Sequence, residues 1–286
     1  MTNRWILGAR PRTLPAAVVP VAVGTAAALP TFNAWRAAAA LVVSLALQVA
    51  TNYVNDYADG ERGTDTDRVG PVRLVGSGLA TASAVKKAAL VAFAVAGVAG
   101  GALALAVGPE LFVVGAASML AGWAYTGGPR PYGYLGLGEV FVFVFFGVVA
   151  TVGSAYVQTE TVDALALVVS VPVGLLAVAL LIINNLRDIP GDTVAGKSTL
   201  AVRLGDPATR TAYLLCFVGV AIGIAAAAAW RPAAIVGLVG LAVAVPAVQS
   251  VRSGAIGAAL ISVLGQTGKT QLVTGLLLAA GLAAGS

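Results

Sequence analysis

The sequence predicts an all-α integral membrane protein, with nine transmembrane helices in one bundle and residues 1–286 forming a single domain. Hydrophobic residues make up 59% of the chain and charged residues only 10%, and the mean hydropathy is +0.93, outside the range of soluble domains. A bilayer core about 30 Å thick needs roughly 17 to 25 apolar residues per helix. Nine apolar stretches of about this length occur, near residues 14–30, 37–52, 88–108, 111–126, 140–156, 165–183, 211–230, 232–251 and 270–286.

These stretches favour helices over a β-barrel because their apolar residues run continuously instead of alternating, and lipid admits only those two spanning forms. None of the nine contains Asp, Glu, Lys, Arg or His. Ala and Gly dominate them, and small residues let helix backbones approach closely. The 35 glycines of the chain therefore predict tight packing in one bundle.

Basic residues are distributed unevenly over the connecting segments. Fifteen of the 17 Lys and Arg residues lie in the N-terminal segment and in the loops after the second, fourth, sixth and eighth stretches, whereas Arg36 and Arg231 lie in the alternate loops. Cytoplasmic loops carry an excess of Lys and Arg. This predicts a cytoplasmic N-terminus and an outer C-terminus. The pI of about 9.6 reflects this basic side of the protein, which suits contact with the lipid bilayer or an anionic substrate. No nucleic-acid partner is expected.

The chain has few of the usual catalytic side chains. It contains no histidine, and its single cysteine, Cys216, lies inside a predicted helix. Histidine catalysis is therefore excluded, and so is a metal cluster held by thiolates. Any catalysis must use carboxylates, amides, basic groups and hard cations. Residues 191–198 match the GxxxxGK[ST] pattern, but they follow an apolar helix and not a β-strand, so we do not interpret them as a nucleotide-binding loop.

A first acidic segment follows the second apolar stretch. If that helix continues, Asn52, Asp56 and Asp59 lie at positions i, i+4 and i+7. Asn55 and Asp59 are also four residues apart, so these side-chain oxygens share one helix face.

A second acidic segment follows the sixth apolar stretch. Asn184, Asp188 and Asp192 are spaced by four residues. They share one face provided that the helix continues past Pro190, since proline usually interrupts a helix.

Both segments lie at predicted cytoplasmic helix ends, where folding can bring them together. Two carboxylates about 5 Å apart repel each other by roughly 3 kcal/mol at an effective dielectric constant near 20. A helix C-terminus adds partial negative charge, so the cluster requires a cation. Oxygen ligands without nitrogen or sulfur favour Mg²⁺, which completes its coordination shell with water and phosphate oxygens. The pattern therefore predicts a magnesium site with a diphosphate ligand.

The two segments resemble the signatures of the UbiA superfamily of intramembrane prenyltransferases, NDxxDxxxD and DxxxD. They stand here at residues 55–59 and 188–192. The last Asp of the first signature is replaced by Gly63, and Asp65 and Asp67 are the candidates to supply the missing oxygens. The nine-helix count and the cytoplasmic site also fit this superfamily, so the resemblance covers nearly the whole chain.

Four further stretches resemble the menaquinone-pathway branch of that superfamily, the polyprenyltransferases of 1,4-dihydroxy-2-naphthoate. They are residues 9–15, 63–71, 125–131 and 196–205. The resemblance implies transfer of a long polyprenyl group from polyprenyl diphosphate to carbon 2 of the naphthoate, with loss of its carboxylate, to give demethylmenaquinone. It also implies two Mg²⁺ ions and a multi-pass protein of the bacterial plasma membrane whose active site is cytoplasmic.

The resemblance implies roles for the polar residues near the two motifs. The metal ligands would be Asp56, Asp59, Asp65, Asp67, Asp188 and Asp192, of which Asp56, Asp59, Asp188 and Asp192 are the catalytic carboxylates. The diphosphate contacts would be Asn52, Asn55, Arg68, Arg73 and Lys197. The acceptor or the allylic cation would lie against Tyr53, Tyr57, Trp123, Tyr125, Tyr132, Asn184 and Asn185.

Two alternatives stay open at this point. A prenyltransferase of the same superfamily could use another aromatic acceptor, such as 4-hydroxybenzoate, homogentisate or a chlorin. A membrane transporter is the alternative from another class of protein. Ion-coupled carriers usually bury charges near the bilayer midplane, and the predicted helices contain none, so the sequence favours the enzyme.

Overall fold

The computed structural model describes residues 3–63 and 72–286, and every regular element within these ranges is helical. Short 3₁₀ turns at Pro11–Thr13 and Tyr132–Leu135 connect longer helices. The longer helices are α1 (Arg4–Ala9), α2 (Pro15–Ala27), α3 (Ala34–Arg62), α4 (Ala82–Val107), α5 (Glu110–Ala124), α6 (Gly138–Thr159), α7 (Ala164–Val194), α8 (Leu200–Ala227), α9 (Pro232–Arg252) and α10 (Ala259–Ala284).

Six of these helices are long and apolar enough to cross a membrane, namely α3, α4, α6, α7, α8 and α9. They correspond to six of the nine predicted stretches. Helices α2 and α5 are apolar but have only 13 and 15 residues. At 1.5 Å per residue, 13 residues reach about 20 Å, which is less than the roughly 30 Å hydrocarbon core. The described residues therefore form a multi-pass membrane protein with about six long apolar helices.

Glycines allow the helices to approach closely, as the composition predicts. A Cβ atom on Gly24 of α2 would lie 2.1 Å from the carbonyl oxygen of Thr151 in α6. A Cβ atom on Gly147 of α6 would lie 2.6 Å from Cα of Gly174 in α7. Side chains larger than hydrogen would separate these backbones, so the glycines set the distances between α2, α6 and α7.

The two largest clusters of buried apolar side chains among the described residues hold most of the bundle together. The larger one lies between α2, α7, α8, α9 and α10, and its fully buried members include Ile183, Val220, Ile224 and Leu278. The smaller one packs α3 against the start of α4 through Tyr53, Val54, Leu74, Val85 and Ala89. The smaller cluster lies beside the first acidic segment, so it fixes the segment that follows α3 against that helix.

Both acidic segments continue the helices that precede them. Helix α3 runs to Arg62 and ends at Gly63, whose φ of +68° suits glycine. Helix α7 continues through Pro190, so Asp188 and Asp192 lie one turn apart on the same face. The predicted helical continuation is confirmed in both places.

Candidate active site

A cavity of about 1270 Å³ lies between the ends of α3 and α7 and extends among α4, α5 and α6. Its polar end is lined by Asn52, Asn55, Asp59, Arg62, Arg73, Thr126, Tyr134, Asn184, Asn185, Arg187, Asp188, Asp192 and Lys197. Its apolar end is lined by residues such as Val43, Leu47, Leu103, Leu111, Val114, Phe145, Phe146 and Val149. The cavity can therefore hold a ligand that is charged at one end and apolar along the rest of its length.

The end of α3 contributes Asp59, which is 4% exposed and has cationic and hydroxyl side chains around it among the described residues. Lys197 places Nζ 3.1 Å from Oδ1 of Asp59, and Arg73 places Nη2 3.6 Å from Oδ2. The hydroxyl of Tyr134 donates to Oδ1. One turn earlier, Asn55 accepts a hydrogen bond of 2.6 Å from the Thr126 hydroxyl. Asp59 is thus an ionic centre that connects α3 with three other segments of the chain.

The end of α7 contributes Asp188, Asp192 and the adjacent amides. Arg187 binds both oxygens of Asp188, through Nε and Nη2 at 2.8 Å each. Asp192 lies across the cavity from α3, with Oδ1 4.0 Å from Nζ of Lys197. Asn185 donates a hydrogen bond of 2.8 Å to Glu139 at the start of α6.

The structure therefore brings Asp59, Asp188 and Asp192 to one end of one cavity, although they come from helices far apart in the sequence. Lys197 lies within 4.0 Å of carboxylate oxygens from both motifs. The backbone of the turn after α7 places it there: its amide donates to the carbonyl of Asp192 at 2.8 Å, and Gly196 adopts a φ of +70°. The predicted convergence of the two motifs is observed, and their role as metal ligands stays a prediction.

Asp56 has a different position. It is 0% exposed, and among the described residues it stays outside the cavity lining. Its two oxygens accept hydrogen bonds from the backbone amides of Leu74 and Val75, at 2.8 Å and 3.0 Å. The i, i+4, i+7 spacing predicts one shared face, but that face is wide enough for Asp59 to face the cavity while Asp56 faces residues 72–80. The geometry gives no support to Asp56 as a metal ligand.

The remaining predicted residues of the first motif fall into three groups. Asn52 lines the cavity and donates to the carbonyl of Ala9 at 2.9 Å. Tyr53 donates to the carbonyl of Trp5 at 2.8 Å, and Tyr57 packs near Trp123 at 6.3 Å between ring centroids. These two tyrosines lie outside the cavity lining, and their contact with the acceptor or the allylic cation stays a prediction. The third group lies outside the described residues and consists of Asp65, Asp67 and Arg68.

An aromatic ladder leads from the polar end of the cavity towards the apolar end. Tyr125 and Tyr132 meet at 5.5 Å between centroids, Tyr132 stacks on Phe141 at 3.9 Å, and Phe141 lies 6.0 Å from Phe145. Burial raises the pKa of both tyrosines above the ordinary value, so they are neutral phenols at physiological pH. For Tyr134, burial and then the negative charge of Asp59 raise the pKa, which keeps its hydroxyl a donor.

A profile of the UbiA prenyltransferase family matches residues 17–259, which is most of the chain. The chain belongs to the UbiA prenyltransferase family. A 1,4-dihydroxy-2-naphthoate octaprenyltransferase of Mycobacterium tuberculosis is 50% identical over 286 residues, covering 99% of this chain and 97% of the relative. The enzyme of the same name from Escherichia coli is 39% identical over 227 residues, covering 76% and 74% of the two chains.

Solved structures of UbiA homologues share the fold. One from Aeropyrum pernix K1 superposes with a TM-score of 0.71 at 16% identity, covering 94% of this chain and 97% of the other. One from Archaeoglobus fulgidus, bound to GPP and Mg²⁺, superposes with a TM-score of 0.65 at 15% identity, covering 97% and 100%. The chain therefore has the all-helical UbiA fold, and structural neighbours within the family have been crystallised with Mg²⁺ and substrate.

Sequence reasoning missed several residues of this UbiA site. Arg62 donates to the carbonyls of Thr126 and Gly128, at 2.5 Å and 2.6 Å, and so ties the end of α3 to the segment that carries Tyr134. Glu139 is buried and accepts from Asn185. The only signals in the sequence were that Arg62 follows the first acidic motif and that Glu139 directly precedes an apolar stretch. Their partners come from distant segments, so the contacts could not be read from spacing.

The carboxylate and amide oxygens of the site suit a hard cation that also binds a diphosphate. Within the described residues, no group of three or more His, Cys, Asp and Glu side chains is close enough to hold a metal alone. The ligand set at the cavity is made of carboxylate and amide oxygens, which is the chemistry that Mg²⁺ prefers when phosphate oxygens and water complete its shell. Nη1 of Arg187 is buried without a hydrogen-bond partner among the described residues and belongs to the cavity lining, where an anionic ligand could accept from it.

Proposed function

We propose that this chain transfers a polyprenyl group from its diphosphate to 1,4-dihydroxy-2-naphthoate. The new carbon–carbon bond forms at carbon 2, the carboxylate leaves as CO₂, and the diphosphate leaves with the electron pair of its C–O bond, giving reduced demethylmenaquinone. Since CO₂ replaces a proton as the departing group, the overall substitution needs no base, which suits a chain without histidine. The names of the relatives support this reaction, and so does a single observation in the structure: acids from α3 and α7 meet at the polar end of a cavity that is otherwise apolar.

The polar end would bind the diphosphate. Asp59, Asp188 and Asp192 would hold two Mg²⁺ ions, with Asp65 and Asp67 as further candidates. When bound, the ions supply electrostatic stabilisation of the departing diphosphate. Arg73, Arg187 and Lys197 line the same end and would donate to the phosphate oxygens.

The aromatic ladder would stabilise the positive charge that develops on the allylic carbon. Neutral phenol and phenyl rings present an electron-rich face without offering a nucleophilic oxygen anion. Because Tyr125 and Tyr132 keep their protons, they attract the cation without being alkylated as phenolates. The polyprenyl tail would extend along the apolar end past Phe145, and the naphthoate would lie near Asn184 and Asn185.

The experiment is a transfer assay with purified protein, radiolabelled polyprenyl diphosphate and a panel of acceptors. We expect a prenylated product with 1,4-dihydroxy-2-naphthoate, release of one CO₂ per product, and loss of activity with EDTA that Mg²⁺ restores. Product with 4-hydroxybenzoate or homogentisate instead would replace the proposed acceptor. Uptake of a substrate by sealed vesicles without any product would favour a transporter and contradict the proposal.

Two carboxylate variants test the site itself. Asp59→Ala and Asp188→Ala should each lower the rate by about 10²- to 10³-fold, since a charge-stabilising group at the reacting centre contributes on the order of 3–4 kcal/mol. Asp206→Ala is the matched control, because Asp206 is an exposed acid that pairs with Arg210 on α8, away from the cavity. Near-normal turnover by Asp188→Ala would contradict the role of the second motif.

We also propose that α2, α5 and α10 cross the membrane with the six longer helices. Helices α2 and α5 are shorter than the hydrocarbon core, and local thinning of the bilayer and the apolar residues that flank them would make up the difference. The nine spans would put the N-terminus in the cytoplasm and the C-terminus outside. The test uses single cysteines, Asn3→Cys and Ser286→Cys, in a Cys216→Ala chain. An impermeant maleimide applied to intact spheroplasts should label the cysteine at position 286 and should label the one at position 3 only after permeabilisation. Labelling of both from the same side would rule out an odd number of spans.

A further inference from the structure

The two hydrogen bonds of Asp56 point to a role that the metal-ligand interpretation does not contain. We propose that Asp56 is a positioning residue that fastens residues 72–80 to α3 and thereby holds the guanidinium of Arg73 beside Asp59. The clamp itself stands on the geometry alone. Its consequence for catalysis rests on the proposed function, in which Arg73 contacts the diphosphate.

The clamp is built from a buried carboxylate and two successive backbone amides. Asp56 is 0% exposed and accepts from the amides of Leu74 and Val75, at 2.8 Å and 3.0 Å. Hydrogen bonds to an ionised acceptor are about twice as strong as neutral ones, and a buried one is costly to leave unmade. A carboxylate is required because it accepts at both oxygens, whereas an asparagine would turn an NH₂ group towards one of the two amide donors.

Packing around these amides shows that the segment lies close against α3. The side chain of Leu74 is 0% exposed and belongs to the cluster with Tyr53 and Val54 of α3. A Cβ atom on Gly60, one turn after Asp56, would lie 2.4 Å from Cγ1 of Val75. Helix α3 thus places the carboxylate of Asp56 beside Gly60, which has no side chain. The backbone amides of Leu74 and Val75 bind the carboxylate, and the side chain of Val75 packs on the glycine.

The segment is also internally compact, so that fixing two of its amides fixes the rest. The amide of Ser77 donates to the carbonyl of Arg73, and the amide of Ala80 donates to that of Leu74, each at 3.0 Å. The residue immediately before the clamped amides is Arg73, whose side chain is 9% exposed and whose Nη2 lies 3.6 Å from Oδ2 of Asp59. Asp56 and Asp59 are three residues apart on one helix, so the clamp and the carboxylate beside Arg73 move as one body.

Hydrogen–deuterium exchange tests the clamp without reference to catalysis. In detergent or nanodiscs, the amides of residues 72–80 should exchange at least about tenfold faster in Asp56→Ala and Asp56→Asn than in the unaltered chain, because the clamped amides open more often. Glu61→Ala is the matched control, an exposed acid on the same helix, and should leave this exchange unchanged. Unchanged exchange in both Asp56 variants would overturn the clamp.

A double-mutant cycle tests the consequence for the proposed reaction. Asp56→Ala and Arg73→Ala should each raise the KM for polyprenyl diphosphate about tenfold, with the half-saturating Mg²⁺ concentration unchanged. The double variant should be within about twofold of Arg73→Ala, because the clamp acts through Arg73. Gly60→Ala keeps the carboxylate but displaces Val75, and should raise the same KM.

Additive effects in the cycle would show that Asp56 does not act through Arg73. A raised Mg²⁺ requirement with normal exchange would assign Asp56 to the metal. Either result would reject the positioning role. If the unaltered chain shows no prenyl transfer at all, the proposed function fails while the exchange experiment still decides whether the clamp exists. If transfer is normal in the unaltered chain and exchange is unchanged in the variants, only the clamp fails.

Discussion

Replacing Lys197 by methionine removes a cation that lies within 4.0 Å of carboxylates from both motifs. Its Nζ lies 3.1 Å from Asp59 and 4.0 Å from Asp192, and the residue is only 9% exposed. At an effective dielectric constant near 20, the two attractions are about 5 and 4 kcal/mol before desolvation is subtracted. Removing one partner of a buried ion pair costs roughly 3–5 kcal/mol overall. If half of this appears in catalysis, kcat/KM falls by about 10- to 100-fold.

Steady-state kinetics with polyprenyl diphosphate and Mg²⁺ varied separately measure this effect. We expect Lys197→Met to raise the KM for the diphosphate, because a phosphate contact is lost. The Mg²⁺ concentration for half-maximal rate should fall, because the cation that competes for Asp59 and Asp192 is gone. Lys87→Met is the control, an exposed lysine near the start of α4. An unchanged KM for the diphosphate, or a raised Mg²⁺ requirement, would refute the assignment of Lys197.

Three other predictions concern the hydroxyl beside the acids, helix packing and the apolar end. Tyr134→Phe should lower kcat/KM about tenfold. Burial raises the pKa of Tyr134, so the hydroxyl of the unaltered chain should keep its contribution through pH 9 and lose it only above the ordinary tyrosine pKa of 10. A pH–rate profile measures this. Gly24→Ala, whose Cβ would meet the carbonyl of Thr151, should cost about 1–3 kcal/mol in thermal unfolding, whereas Gly265→Ala, with no atom within 4 Å, should be neutral or stabilising. Gly115→Phe should fill the apolar end, raising the KM for long donors and leaving geranyl diphosphate nearly unaffected.

Composition and periodicity predicted the helices well because lipid leaves the backbone few alternatives. All nine apolar stretches correspond to helices in the described residues, and both acidic segments continue the helices before them. Length was harder to predict, since residues 14–30 include Leu14 and the turn after Ala27, which are not part of the 13-residue helix α2. Hydropathy counts apolar residues whether or not they are helical, so it overestimates a helix that ends in an apolar turn.

Spacing predicted which acids would approach each other but not what each oxygen would bind. Asp56 and Asp59 lie on nearly the same face of α3, yet one accepts from backbone amides of residues 74 and 75 and the other faces the cavity. The difference depends on where residues 72–80 fold back, which no local pattern encodes. Tyr134 and Arg187 were missed for the same reason, since their importance comes from partners or a cavity that only the tertiary structure assembles.

The arrangement of charge indicates different roles for the acidic and the basic residues of the site. Helices α3 and α7 both end at the cavity, so their dipoles add partial negative charge to three carboxylates. Basic residues pair with these carboxylates: Lys197 and Arg73 lie against Asp59, and Arg187 lies against Asp188. A diphosphate then brings negative charge to a site whose basic residues already pair with carboxylates. We therefore expect divalent ions to enter with it. Variants of the basic residues should therefore change mainly the affinity for the donor, whereas variants of Asp59, Asp188 and Asp192 should lower the rate and raise the requirement for Mg²⁺.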